Sequence, residues 1–423
     1  MSEGSAPEQT AAPALRLPPV HAPMSQFEWR DGELTVGAMP LSRLAERVGQ
    51  TPFYAYDRSL LRRRVAELRA LLPAAVKLHY AMKANPMPAV VALMAGLVDG
   101  IDVASAGELK VALDAGADPH EVSFAGPGKR EAELRQAVAA GVLLNLESAR
   151  EVRLLAGISQ ALGLPARVAV RVNPDYELKG SGMKMGGGPK QFGIDVEQVP
   201  AVLQAMAAAG LQFEGFHLFA GSQNLRAESI CEAQCKGYEL ALRLAGSAPG
   251  PVRFLNLGGG FGIPYFPGEQ RLDPAPIGVN LHALAERAAK DMPGAELVIE
   301  LGRYLVGEAG VYVTRVLDRK VSRGQVFLVT DGGLNHHLSA SGNFGQVLRK
   351  NYPAAVSRPG GAGAEVVSVV GPLCTPLDLL AERMALVPAG EGDLVVIFQS
   401  GAYGASASPQ AFLGHPPCTE VLV

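Results

Sequence analysis

Lys83 closes a short apolar run, His79-Tyr80-Ala81-Met82-Lys83. A lysine at the end of such a run is costly to desolvate unless it is paired or covalently used. It can bond an aldehyde as a Schiff base. It can equally be a surface lysine or half of a structural ion pair. Glu300-Leu301-Gly302-Arg303 closes another apolar run. A carboxylate and a guanidinium here can serve a cationic ring nitrogen and a phosphate, or simply bind each other. Gly258-Gly259-Gly260, with Gly262, follows a third run. Glycines there let backbone N–H groups approach a phosphate closely.

The elements between these residues alternate. Strand candidates are Val76–Lys83, Gly100–Ser105, Val122–Gly126, Leu143–Glu147, Arg167–Val172, Phe213–Phe219, Phe254–Leu257 and Leu297–Glu300. They read as continuous apolar runs, as strands buried on both faces do. Segments with helical spacing lie between them, such as Ala106–Ala115, Glu131–Ala140, Ala149–Leu162 and Val199–Ala209. Eight alternating units predict a closed parallel (β/α)8 barrel. An open doubly wound sheet fits less well, because no G-x-G-x-x-G opens the first helix. After about residue 304 the rhythm changes to Val311–Leu317, Gln325–Thr330, Glu365–Val370, Leu394–Phe398 and Glu420–Val423. That pattern predicts a mostly β C-terminal domain. Gly32–Val36 also reads as a strand that could join that sheet. The chain therefore divides into a disordered tail (1–25), an N-terminal segment joining the β domain (26–50), the barrel (51–304) and the β domain (305–423). The glycine-rich stretch Gly180–Gly188 is expected to be a mobile loop over the barrel mouth.

Composition narrows the function. The 38 basic and 41 acidic residues give a net charge of −3, so neither sign marks a nucleic-acid or anionic membrane surface. No apolar run of about 18 residues suggests a membrane span. The N-terminus lacks the basic start and apolar stretch of a secretory signal. Cys231 and Cys235, four apart on one helix face, read as small buried thiols in a reducing cytoplasm. No metal site is expected.

In this fold the active site gathers at the C-terminal ends of the strands, and the loops after strands seven and eight usually hold phosphate. Lys83, the glycine run and the Glu300/Arg303 pair all fall there. A lysine, a phosphate cradle and an acid facing a ring nitrogen are the parts of a pyridoxal 5'-phosphate site.

The chain resembles the fold-type III pyridoxal phosphate decarboxylases, the group of diaminopimelate, ornithine and arginine decarboxylases. The resemblance runs from about residue 30 to the C-terminus. It is carried by Tyr80-Ala81-Met82-Lys83-Ala84-Asn85, Asp102-Val103-Ala104-Ser105 with Glu108, Arg171-Val172-Asn173-Pro174, Phe192-Gly193-Ile194 and Gly221-Ser222-Gln223. Further on it is carried by Leu257-Gly258-Gly259-Gly260-Phe261, Glu300-Leu301-Gly302-Arg303, Gly371-Pro372-Leu373-Cys374 and Gly401-Ala402-Tyr403-Gly404. In detail it is most similar to the exosortase A system-associated decarboxylases. The resemblance implies an alanine-racemase-type barrel and a homodimer with shared active sites. It implies that Lys83 bonds the cofactor and Glu300 holds its pyridine nitrogen. Ser222, Gly258, Gly259, Gly260, Arg303 and Tyr403 would hold its phosphate. Cys374 would enter from the neighbouring subunit as proton donor. Asp102 and Arg171 are candidate substrate contacts.

Three departures bear on the substrate. Relatives carry a cofactor-stacking histidine where this chain has Phe219; His217 lies two residues earlier, so both side chains should point to one side of the strand. Phe219 is expected to stack, with His217 touching the substrate or the barrel wall. An acid usually follows the cysteine; here Thr375 does, with Asp378 the next acid, and both are further candidate substrate contacts. Leu338-Ser339-Ala340-Ser341-Gly342 stands where diaminopimelate decarboxylases carry an arginine-and-tyrosine segment, and their C-terminal Tyr-Asn pair is not evident after Tyr403. The chemical centre is kept while the shell that reads the substrate differs. The expectation is decarboxylation of a free amino acid or of an aminoacyl group on a carrier protein. The alternatives are an amino-acid racemase, which would lack the Gly-Pro-x-Cys segment, and a cofactor-free binding homologue.

Overall fold

The computed structural model describes residues 20–176, 183–184, 186–346, 348–358, 361 and 363–423. Most of the expected tail and part of the Gly180–Gly188 loop lie outside the described residues. Residues 20–26 are held in place. Gly268 N donates to Val20 O, and Arg271 donates to Pro23 O and Gln26 Oε1.

Eight parallel strands close into a barrel: β1 (Val76–Ala81), β2 (Gly100–Val103), β3 (Val122–Phe124), β4 (Leu143–Leu146), β5 (Arg167–Asn173), β6 (Gln212–Leu218), β7 (Phe254–Gly259) and β8 (Glu296–Leu301). Each pairs with the next, and β8 pairs with β1, Glu300 opposite His79. A helix follows each strand from β1 to β7, and the one after β2 has a side-chain cap. Ser105 Oγ accepts from Glu108 N, and Glu108 Oε2 accepts from Ala104 N, so the two residues satisfy both donors at the start of Ala106–Asp114.

The barrel interior is layered. Leu143, Ala169, Phe254 and Val298 pack into one buried apolar cluster. Two residues further along these strands stand Asn145, Arg171, Asn256 and Glu300, all buried. Side chains two apart on a strand share a face, so a polar layer sits on an apolar floor towards the C-terminal mouth.

The second sheet runs in the order Ala354–Ser357 (β11), Leu394–Ile397 (β14), Gly310–Ser322 (β9), Gln325–Thr330 (β10), Glu365–Val370 (β12) and Leu379–Leu386 (β13). Two expectations are corrected here. Glu33–Val36 does not join this sheet; it pairs with Trp29–Arg30 and Met39–Pro40 in a small sheet of its own. Leu34 N donates to Ser357 Oγ of the larger sheet. Phe53–Tyr56, in the segment assigned to the barrel, pairs instead with β9 and with Thr419–Leu422 (β15). All four of its residues are buried. Its alternate side chains therefore both need cover, which an inner strand of a sheet supplies and a loop does not.

The two domains meet at the barrel mouth. Tyr403 N donates to Ala84 O at 2.8 Å, and Asn85 Nδ2 donates to Gly401 O at 3.0 Å. The loop after β14 thus clasps the turn that carries Lys83.

Candidate active site

Lys83 sits in the 3-10 turn Met82–Ala84 that ends β1, with both neighbours buried and its own side chain exposed to the mouth. Phe219, just past β6, lies under it: Nζ is 5.8 Å from the ring centroid. His217, two residues earlier, is buried in the barrel wall, and its Nε2 meets Glu300 Oε2 at 3.0 Å. Of the two aromatic groups, Phe219 is the one beside the lysine and His217 the one in the wall. His217 is directed at the acid.

Glu300 is buried at the end of β8. Burial opposes its ionisation, yet the neighbouring His217, Lys83 and Arg171 hold its pKa down at about 2. Asn256 Nδ2 donates to the same Oε2 at 3.1 Å, while Asn256 Oδ1 accepts from Gly258 N at 2.7 Å. One amide therefore joins the acid to the glycine run. Asn256 is not among the residues that stand out by motif. Its one signal in the sequence is that of a polar residue in an apolar strand, two positions before Gly258.

The glycine run needs its glycines. A Cβ on Gly259 would stand 2.0 Å from Glu300 O, and one on Gly260 2.2 Å from Gly221 O. Gly260 also has φ +76°. The run is pressed against β8 on one side and Gly221-Ser222 on the other. Ser222 Oγ is buried there with no hydrogen-bond partner among the described residues. Arg303 Nη1 donates to Tyr265 OH at 2.8 Å, and its guanidinium carbon is 4.7 Å from the Tyr403 ring centroid. An orphaned buried hydroxyl, a close-packed glycine loop and an arginine fit a phosphate. Glu300, tied to that loop through Asn256, fits a protonated ring nitrogen, and Lys83 fits the aldehyde. The residues present match pyridoxal phosphate.

The residues assigned to substrate fare differently. Asp102 Oδ1 contacts His79 Nδ1 at 3.1 Å and accepts from Ser123 Oγ at 2.8 Å, within the barrel. Arg171 pairs with Glu147 at 3.0 Å and stacks over Phe192. Asp378 is held by the backbone. Its Oδ1 accepts from Leu334 N and its Oδ2 from Leu373 N, and it is buried, so both oxygens are committed to backbone donors. Asp378 shapes the turn that presents Cys374. Thr375 Oγ1 accepts from Leu377 N in the same turn. Cys374 is exposed there, and no hydrogen bond joins it to the Lys83 cluster among the described residues. Cys231 and Cys235 are partly buried free thiols, facing Pro276 O and Asn280 Oδ1.

Comparison with known proteins agrees with this geometry. Residues 58–307 match the family model described as pyridoxal-dependent decarboxylase, pyridoxal binding domain. The chain belongs to the pyridoxal-dependent decarboxylases. It is 38% identical over 380 residues to the L-glutamyl-[BtrI acyl-carrier protein] decarboxylase of Niallia circulans, covering 88% of this chain and 89% of that one. It is 32% identical over 401 residues to the diaminopimelate decarboxylase of Aquifex aeolicus, covering 94% and 92%. The crystal structure of diaminopimelate decarboxylase from Helicobacter pylori complexed with L-lysine matches with a TM-score of 0.80 at 28% identity, covering 90% and 94%. The family's barrel with a mostly β C-terminal domain is the fold described above, and its cofactor is pyridoxal 5'-phosphate. Among the described residues no helix is long and apolar enough to cross a membrane.

Proposed function

We propose that this decarboxylase removes the α-carboxylate of an aminoacyl group tethered to a carrier protein through its side-chain carboxyl, which leaves the α-carboxylate free. The observation that carries the reading is the segment Leu338–Gly342. Ser339 Oγ donates to Tyr403 O and Ser341 Oγ to Leu338 O, and both serines are buried. The segment holds no cation to receive a distal carboxylate, as a diaminopimelate reader would need. The 38% identity to a glutamyl-carrier decarboxylase points the same way.

Pyridoxal phosphate, when bound, accepts the electron pair left on the α-carbon as carbon dioxide departs. Lys83 would bond the cofactor. Gly258, Gly259, Gly260, Ser222, Arg303 and Tyr403 would hold its phosphate. Phe219 would lie against the cofactor, and Glu300 would hold a proton at its ring nitrogen. Asp102 and Arg171 line the polar layer beneath the substrate. Cys374 of a second copy of the chain returns a proton to the α-carbon; its exposure, apart from the Lys83 cluster of its own chain, supports a head-to-tail homodimer. The motif set further supports membership of the exosortase A system-associated subgroup and work in the cytoplasm.

The test is carbon dioxide release by cofactor-loaded protein. A glutamyl-loaded carrier protein is compared with meso-diaminopimelate, ornithine, lysine and arginine. Release from the carrier-bound group alone supports the reading. Efficient turnover of a free amino acid, with the carrier-bound one inert, overturns it.

A further inference from the structure

We propose that His217 is a positioning residue for the decarboxylation. With Asn256 it occupies Oε2 of Glu300, so that Oε1 is the oxygen left to face the cofactor's ring nitrogen. The inference rests on the reading of Glu300 given above.

Three observations carry it. The contact of His217 Nε2 with Glu300 Oε2 is 3.0 Å, and Asn256 Nδ2 reaches that same oxygen at 3.1 Å. His217 is 2% exposed, its approach to Glu300 is a close ion-pair contact rather than an aligned hydrogen bond, and neither ring nitrogen has a hydrogen-bond partner among the described residues. A buried imidazole directed at one group only is a costly arrangement unless that group needs it. Asn256 is fully buried and fixed at its other end by Gly258 N. The acid is therefore gripped from two strands, β6 and β7, while it projects from a third.

The grip has a chemical purpose. A carboxylate facing a pyridine nitrogen must stay ionised for the nitrogen to stay protonated. It must also hold one rotamer for its oxygen to meet that nitrogen. His217 supplies positive potential to a buried anion, and Asn256 fixes the rotation. Asn256 also sets the distance from the acid to the phosphate loop, so the ring-nitrogen and phosphate ends of the site are registered through one side chain.

The experiment loads wild type, His217→Leu, His217→Gln and Asn256→Ala with ring-15N pyridoxal phosphate. It records the ring-nitrogen NMR shift together with kcat and KM. A misplaced acid costs about a hundredfold. We expect His217→Leu to move the nitrogen towards its unprotonated shift, with kcat lowered by that order and KM little changed. His217→Gln keeps a donor near Oε2 and should recover part of both. If His217→Leu does not fold, the Gln and Asn256→Ala proteins carry the same comparison. A wild-type nitrogen shift and kcat in every folded variant would overturn the role of His217 alone. A wild-type protein that takes up no pyridoxal phosphate would overturn the reading beneath it as well.

Discussion

The Lys83 ammonium stands 5.8 Å from the centroid of the Phe219 ring, across the mouth of the barrel. A flat cofactor bonded to that lysine would meet the phenyl face, where a histidine stands in relatives. Removing the ring should cost about 1 kcal/mol of aromatic contact. We expect Phe219→Ala to weaken retention of pyridoxal phosphate several-fold, while Phe219→His keeps it near the wild-type level. Dialysis followed by absorbance of the lysine-bound cofactor checks this. Equal retention in the Ala protein would place the ring elsewhere.

Arg303 and Ser222 should differ in weight. A charged hydrogen bond contributes about 1.5–3 kcal/mol and a neutral one about 1 kcal/mol. Arg303→Met should therefore weaken cofactor binding more than Ser222→Ala does. Titration of each apoprotein with pyridoxal phosphate, and in parallel with pyridoxal, gives the measurement. The difference between variants should vanish for pyridoxal, which has no phosphate.

Cys374 and Lys83 are predicted to act from different copies of the chain. Lys83→Ala should be inactive, and Cys374→Ala should release carbon dioxide with its product diverted or slowed. Mixed and allowed to exchange subunits, the two variants should regain normal product formation that neither has alone. Absence of recovery, with exchange verified by mass, would place both residues in one chain's site.

His337 predicts a pH dependence of stability. Its ring is fully buried, Nδ1 accepts from Ala340 N, and Nε2 lies 2.9 Å from Ser400 Oγ. That pattern requires the neutral imidazole, and burial pushes the pKa down from 6.5 to about 3. The unfolded chain therefore takes up the proton first. The contribution is whole above pH 6.5 and is lost as pH falls towards 3, at about 1.4 kcal/mol per pH unit. Urea midpoints between pH 7 and 4 should fall less steeply for His337→Gln than for wild type.

The barrel was legible because each of its strands is a short apolar run bounded by turn residues, with a helix of clear period between neighbours. Gln325–Thr330 and Glu365–Val370 were read to the residue for the same reason. Leu379–Leu386 was not, since Glu382 and Arg383 break its apolar run and Arg383 takes φ +46° at an irregular step in the pairing. Phe53–Tyr56 hid because its partners lie far along the chain. Lys83, Glu300 and the glycine run could be found because each closes a strand. The approach of His217 to Glu300 could not, because it depends on how inward side chains two strands apart, on either side of β7, converge inside a closed barrel. The commitment of Asp378 could not be read either, because its donors, Leu334 N and Leu373 N, are backbone groups that leave no mark in a sequence.

The pairing of Phe53–Tyr56 with β9 and β15 makes the barrel an insertion within the β sheet. During synthesis that strand leaves the ribosome early and stays without its ladder until β9 emerges, roughly 250 residues later, a separation whose closure entropy grows only slowly with length. The barrel has time to fold before the sheet can close. Closure of the sheet then brings the loop after β14 onto the Lys83 turn, through Tyr403 N and Gly401 O. The cofactor pocket is thus finished by a part of the chain made well after the lysine, and a chain interrupted between the two would carry the lysine without the clasp that completes its site.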